Sequence, residues 1–154
     1  MGSVGGKGAT GEDVYGRVHR GDPRTLITAL DTNILIDIVT ASNVASREAV
    51  RRAHAEGGLV LGEVVYSELC AVRSRQEVDE ILARLGVTFV ASSPDALARA
   101  GALWTRHLRS GGKRTRILSD FMIGAHALHH ADRLCTRDRG FFRKYFRELQ
   151  LLEP

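Results

Sequence analysis

Leu26 to Leu30 read LITAL, an apolar run closed by the polar step Asp31-Thr32-Asn33, after which ILIDIV is apolar again. A short apolar run ending at a turn predicts a buried strand over 25–31. TNILIDIV and SREAVRRAHAEG then predict two helices, the second stopped by Gly57–Gly58. LVLG predicts a second strand. VVYSELCAVRS predicts a helix whose Val65, Leu69 and Val72 share one face. QEVDEILARLG predicts another, ended by Gly86, and VTFV a third strand. PDALARAGALWTRHLRSG carries Pro94 in its first turn and Gly111 past its end, the usual helical asymmetry. ILSDFMIGAHALHHA predicts a helix capped by Ser119 or Asp120. DRLCT, DRGFFRKYF and LQLL complete the pattern as strand, turn with short helix, and strand. Strands alternating with helices predict an α/β domain, a parallel sheet covered on both faces. Such sheets bind ligands beyond the carboxyl ends of their strands. Asp31 ends the first strand and Asp138 follows the fourth, so both are expected at that edge.

Residues 24–154 are enough for one domain with one core. Residues 1–23 hold seven of the sixteen glycines and no periodicity, and they read as a flexible tail whose origin, native or appended, the residues leave open. GSVGGKG within it is no phosphate-binding loop. Gly8 follows Lys7 where Ser or Thr is needed, and no strand precedes it. No apolar run is long enough to span a membrane, and the first residues lack the pattern of a secretory signal. Cys70 and Cys135 lack metal-ligand spacing, so reduced thiols in a cytoplasmic setting are expected. The 22 basic and 18 acidic residues give +4. The basic ones crowd Gly111–Arg116 and Arg133–Arg147, a placement that suits a polyanion.

Four acids interrupt otherwise apolar surroundings. Asp31 closes its strand, Glu68 sits between Tyr66 and Leu69, Asp120 opens FMIGAHAL, and Asp138 follows the LCT strand. Carboxylates that face one another in a crevice repel, and a hard divalent cation relieves that repulsion. Each acid also has a plainer reading. Asp31 and Asp138 suit turns, Asp120 suits a helix cap, and Glu68 suits a solvated helix face. Spacing does not separate Glu68 from Glu63.

LITALDTNILIDIV, VVYSELCAV, ILSDFMIGAHALHHADRLCTRDRGFFRKYF and the final LQLL resemble a PIN-domain ribonuclease, and within that family the toxins of VapC type from toxin–antitoxin pairs. The likeness covers roughly 25–154. It implies a three-layer α/β/α fold around a five-stranded parallel sheet ordered 3-2-1-4-5. It implies that Asp31, Glu68, Asp120 and Asp138 are the catalytic acids that bind Mg²⁺ or Mn²⁺, and it selects Glu68 over Glu63. It further implies RNA cleavage, an antitoxin partner and a homodimer. Many relatives carry another acid soon after the position of Asp138; Arg139 and Gly140 stand here, so one metal is expected and a second is left open.

Around these acids, Asn33 and Thr136 are supporting candidates; Thr136 lies two residues before Asp138 and so on the same strand face. Thr32 suits a helix cap. Lys113, Arg114 and Arg116 are candidates for holding RNA phosphates, with Arg137, Arg139 and Arg143 as weaker ones. His126 and His130 lie four apart, but no HExxH pattern accompanies them, so zinc is not expected. Trp104 reads as core or interface. A phosphate-accepting Asp31 would need a second Asp where Asn33 stands. The rival readings are a PIN nuclease of RNA processing and a PIN-like module that binds RNA or protein without cutting. The residues do not identify the RNA; transfer RNA and ribosomal RNA are both candidates.

Overall fold

The computed structural model describes residues 24–113 and 117–154. The expected tail, with Arg114 and Arg116, lies outside the described residues. In chain order the elements are β1 (Leu26–Leu30), α1 (Thr32–Val39), α2 (Val44–Glu56), β2 (Gly57–Leu61), α3 (Glu63–Cys70), α4 (Arg75–Leu85), β3 (Val87–Phe89), α5 (Pro94–Arg109), α6 (Leu118–His130), β4 (Arg133–Cys135), α7 (Arg139–Tyr145) and β5 (Gln150–Leu152). The five strands form one sheet in the order β3-β2-β1-β4-β5. Every pairing is parallel. The three-layer α/β architecture and strand order therefore stand as expected.

Local chemistry explains the boundaries. Asp31 caps α1 by accepting the Thr32 N–H, and Asn43 caps α2 by accepting those of Ala45 and Ser46. Ser74 and Glu77 form a reciprocal capping box at α4, which Gly86 ends in the left-handed region at φ +66°. Gly57 is needed for a different reason. It pairs with Leu26 across β1 and β2, and a Cβ there would meet the Leu26 carbonyl oxygen at 2.0 Å. Two sequence expectations shift. α3 stops at Cys70, so Val72 lies past its end and is 58% exposed, while Val65 and Leu69 are buried as expected. α6 begins one residue before Ser119, and Asp120 occupies its third position, where it accepts the Ile117 N–H at 3.3 Å.

The core runs through the middle of the sheet. Leu30, Leu59, Val60, Leu61, Leu134 and Cys135 are all shut off from solvent, and Ile34, Leu35 and Phe121 pack with them from the helices. A second cluster of rings gathers Phe121, Phe141 and Tyr145, centroids 5.0–5.1 Å apart. Trp104 is half-buried and packs on Phe121 and His107. This rigid centre fixes where β1 and β4 end. The Asp31 N–H donates to the Cys135 carbonyl at 3.0 Å, so Asp31 and Thr136 emerge side by side at the sheet's carboxyl edge.

Candidate active site

Asp31 is the centre of the site. It is only 6% exposed, and three groups donate to its carboxylate: the Thr32 N–H at 2.7 Å, Asn33 Nδ2 at 2.8 Å and Thr136 Oγ1 at 2.6 Å. Burial nonetheless pushes its pKa up to about 6 against those bonds, and the negative charges of Glu68 and Asp120 add to the rise. Asp31 thus both caps α1 and lies among other acids. The cap confirms the plainer reading of Asp31 as a turn residue.

The other acids come from separate elements. Glu68, on α3, accepts a hydrogen bond from Thr32 Oγ1, one residue from Asp31. Asp120, in the first turn of α6, is near enough for its charge to oppose the ionisation of Asp31. Asp138 caps α7 by accepting the Phe141 N–H, and its own N–H donates to Thr136 Oγ1 at 3.0 Å. Thr136 therefore joins Asp138 to Asp31 through one hydroxyl. Asn33 does similar work on its other side: its Oδ1 accepts the Arg137 N–H at 3.3 Å. Glu63 stands apart. Its carboxylate accepts both the N–H and the hydroxyl of Ser92, which ties α3 to the start of the β3–α5 connection.

The donor set is entirely oxygen, and it includes a buried carboxylate whose ionisation two negative neighbours oppose. That is the chemistry a hard divalent cation suits. Among the described residues, no three His, Cys, Asp or Glu side chains already close on one point as an ion would require. Asp31 and Glu68 instead commit oxygens to Thr136, Asn33 and Thr32.

The remaining candidates find other partners. Lys113 is exposed, and its carbonyl is held by His107 Nε2 at 2.9 Å. Arg137 pairs with Asp37, and Arg139 and Arg143 both pair with Glu153, so these arginines serve carboxylates of the chain itself. His126 Nε2 donates to the Val90 carbonyl, and His130 Nε2 accepts the Ser93 N–H. Burial lowers the pKa of both histidines. Burial also pushes the Cys135 thiol up to about 12, and neither cysteine forms a disulfide. Asp37 also interrupts the apolar run, but sequence reasoning gave it no role. It is 5% exposed inside α1, and the acid's presence in an apolar helix was the one available sign.

The PIN-domain model matches residues 28–147, which spans all four acids. The chain belongs to the PIN-domain family. No match emerges among curated protein sequences. Among solved structures, VapBC2 from Rickettsia felis, bound to a promoter DNA fragment, is 18% identical with a TM-score of 0.66, covering 83% of this chain and 98% of its own. VapBC-1 from nontypeable Haemophilus influenzae is 19% identical with a TM-score of 0.66 and the same coverage. A toxin–antitoxin complex from Klebsiella pneumoniae is 23% identical with a TM-score of 0.56, covering 75% of this chain and 89% of its own. At these identities the likeness is one of fold. Among the described residues no helix is long and apolar enough to cross a membrane.

Proposed function

We propose that this PIN domain is a metal-dependent endoribonuclease, the toxin of a toxin–antitoxin pair. The observation that carries this is the gathering of Asp31, Glu68, Asp120 and Asp138, from four separate parts of the chain, around one buried carboxylate. Asp31, Asp120 and Asp138 would hold Mg²⁺ or Mn²⁺, with Glu68 binding directly or through water. When bound, such an ion makes an attacking water more acidic and offsets charge on the leaving oxygen of a phosphodiester. The chain's own residues do the rest. Asn33 and Thr136 aim Asp31 through their hydrogen bonds. Glu68, half-buried beside Thr32, is placed to accept a proton. Lys113, with Arg114 and Arg116, would hold the strand's phosphates.

The toxin assignment draws on the solved complexes of this fold, one of which is a toxin–antitoxin complex. The antitoxin would be a protein that blocks the crevice, and a homodimer is proposed on the same likeness. The test is cleavage of RNA by the purified chain with Mn²⁺, with chelator, and with Asp31→Asn or Asp120→Asn. Chelation and either substitution should lower kcat/KM by at least about a hundredfold, beyond the usual loss for residues that only support a metal site. Cleavage that survives all three overturns the reading. Growth arrest on expression, relieved by the same substitutions, tests the toxin part.

A further inference from the structure

Asp37 is a buried acid that the proposed chemistry does not use. It is only 5% exposed, and both oxygens of its carboxylate are engaged. Arg137 Nε reaches Oδ2 at 3.0 Å and Nη2 reaches Oδ1 at 3.1 Å, a two-pronged ion pair. Ser46 Oγ donates to Oδ2 and Ser42 Oγ to Oδ1. A planar guanidinium gripped at two points has little freedom to turn.

The position of this pair gives it a consequence. Arg137 lies between Thr136, whose hydroxyl donates to Asp31, and Asp138, whose N–H donates to that same hydroxyl. Its N–H bonds Asn33, and its guanidinium bonds Asp37 one helical turn further along α1. The loop after β4 is thus fastened to α1 at two successive turns. Asn33 and Thr136 both then donate to the same oxygen of Asp31. We propose that Asp37 and Arg137 are positioning residues, whose forked pair holds Asn33, Thr136 and Asp138 in register around Asp31. The pair's role in RNA cleavage rests on the function proposed above; its role in ordering the loop does not.

The test uses the full chain with Arg137→Gln, Arg137→Lys, Asp37→Asn, and Asp37→Asn combined with Arg137→Gln. Amide hydrogen exchange measured by NMR reports loop order without any metal. Exchange at the Arg137 and Asp138 N–H groups should quicken by about tenfold in Arg137→Gln and Asp37→Asn. Amides of β1 and α5 should keep wild-type protection, which shows that the fold persists. RNA cleavage with Mn²⁺ should lose about tenfold in kcat, with KM within about twofold. Arg137→Lys should fall between, because an ammonium keeps the charge and loses the fork. The double variant should be no worse than the worse single one, the mark of groups that act through each other. Unchanged exchange at Arg137 and Asp138 overturns the proposal, as does faster exchange with unaltered kcat. If the wild-type chain cleaves no RNA, the nuclease reading fails by itself, and the exchange data still decide whether the pair orders the loop.

Discussion

A carboxylate at the end of a buried strand is costly unless something compensates it. Asp31 shows how partial the compensation from hydrogen bonds is: three favour its ionised form, and its pKa is still raised from 3.8 to about 6. A folded-state value above the unfolded one means that the native state binds the proton more tightly. The resulting stability is fully present below pH 3.8 and is lost as pH rises through about 6. The span corresponds to about 3 kcal/mol. Asp31→Asn removes this dependence. It also alters the hydrogen bonds from Asn33 and Thr136, whose preference for the ionised form is already contained in the wild-type value of about 6. In chelator, the stability of Asp31→Asn relative to wild type should therefore improve by about 3 kcal/mol between pH 3.5 and pH 7.5. Urea unfolding at several pH values measures it, and a flat difference refutes the burial argument. Glu68 and Glu63 offer a second contrast, on one helix. Glu68→Gln should abolish cleavage with little effect on stability. Glu63→Gln weakens the hold on Ser92 and should cost about 1 kcal/mol of stability, with cleavage retained. Assays of both variants on one RNA distinguish the roles.

Elements are decided by short-range chemistry, and the limits of that chemistry show in this fold. Gly57 must pass the Leu26 carbonyl where β1 meets β2, with no room for a Cβ. Gly57→Ala should push the two strands apart and lower stability by about 1–3 kcal/mol, the usual cost of an overpacked site; thermal unfolding reports it. Gly86→Ala, at φ +66° and with a Cβ that would sit 3.0 Å from the His54 ring, should cost about 1–2 kcal/mol through left-handed strain. Glycines, Pro94 and the Ser74–Glu77 box lie next to the boundaries they set, which is why the alternation of strands and helices could be read from the residues alone. The end of α3 could not, since nothing in AVRS stops a helix; Val72 is exposed because the chain turns away. Spacing likewise places Glu68 on a helix and Glu63 just before it without naming their partners, and the partners are Thr32 and Ser92. The Asp37–Arg137 pair was beyond reach for the same reason: its members are 100 residues apart, and only the closing of β1 against β4 brings them together.

At the scale of the molecule, the proposed ligands are distributed so that no fragment contains the site. Asp31 follows β1, Glu68 lies on α3, Asp120 on α6 and Asp138 after β4, and the bond from Thr136 to Asp31 alone closes 105 residues. An unfolded chain cannot assemble these oxygens, so the free energy of metal binding becomes free energy of folding. A ligand that binds only the native state stabilises it by RT ln(1 + [L]/Kd), about 2.7 kcal/mol at a hundred times Kd. For a domain of this size that is a rise in Tm of roughly 5–10 °C. Mn²⁺ should produce such a rise in the wild-type chain at pH 7.5, where Asp31 is ionised. The rise should shrink below pH 6, where the proton competes for the same oxygens, and it should vanish in Asp31→Asn. Sodium at equal ionic strength should not reproduce it, which separates binding at the crevice from general screening of a chain carrying +4. A Tm that ignores Mn²⁺, or that rises equally in Asp31→Asn, would mean that these acids gather without serving a cation. The nuclease reading would then lose its physical basis, while membership in the PIN family, which rests on sequence, would be untouched.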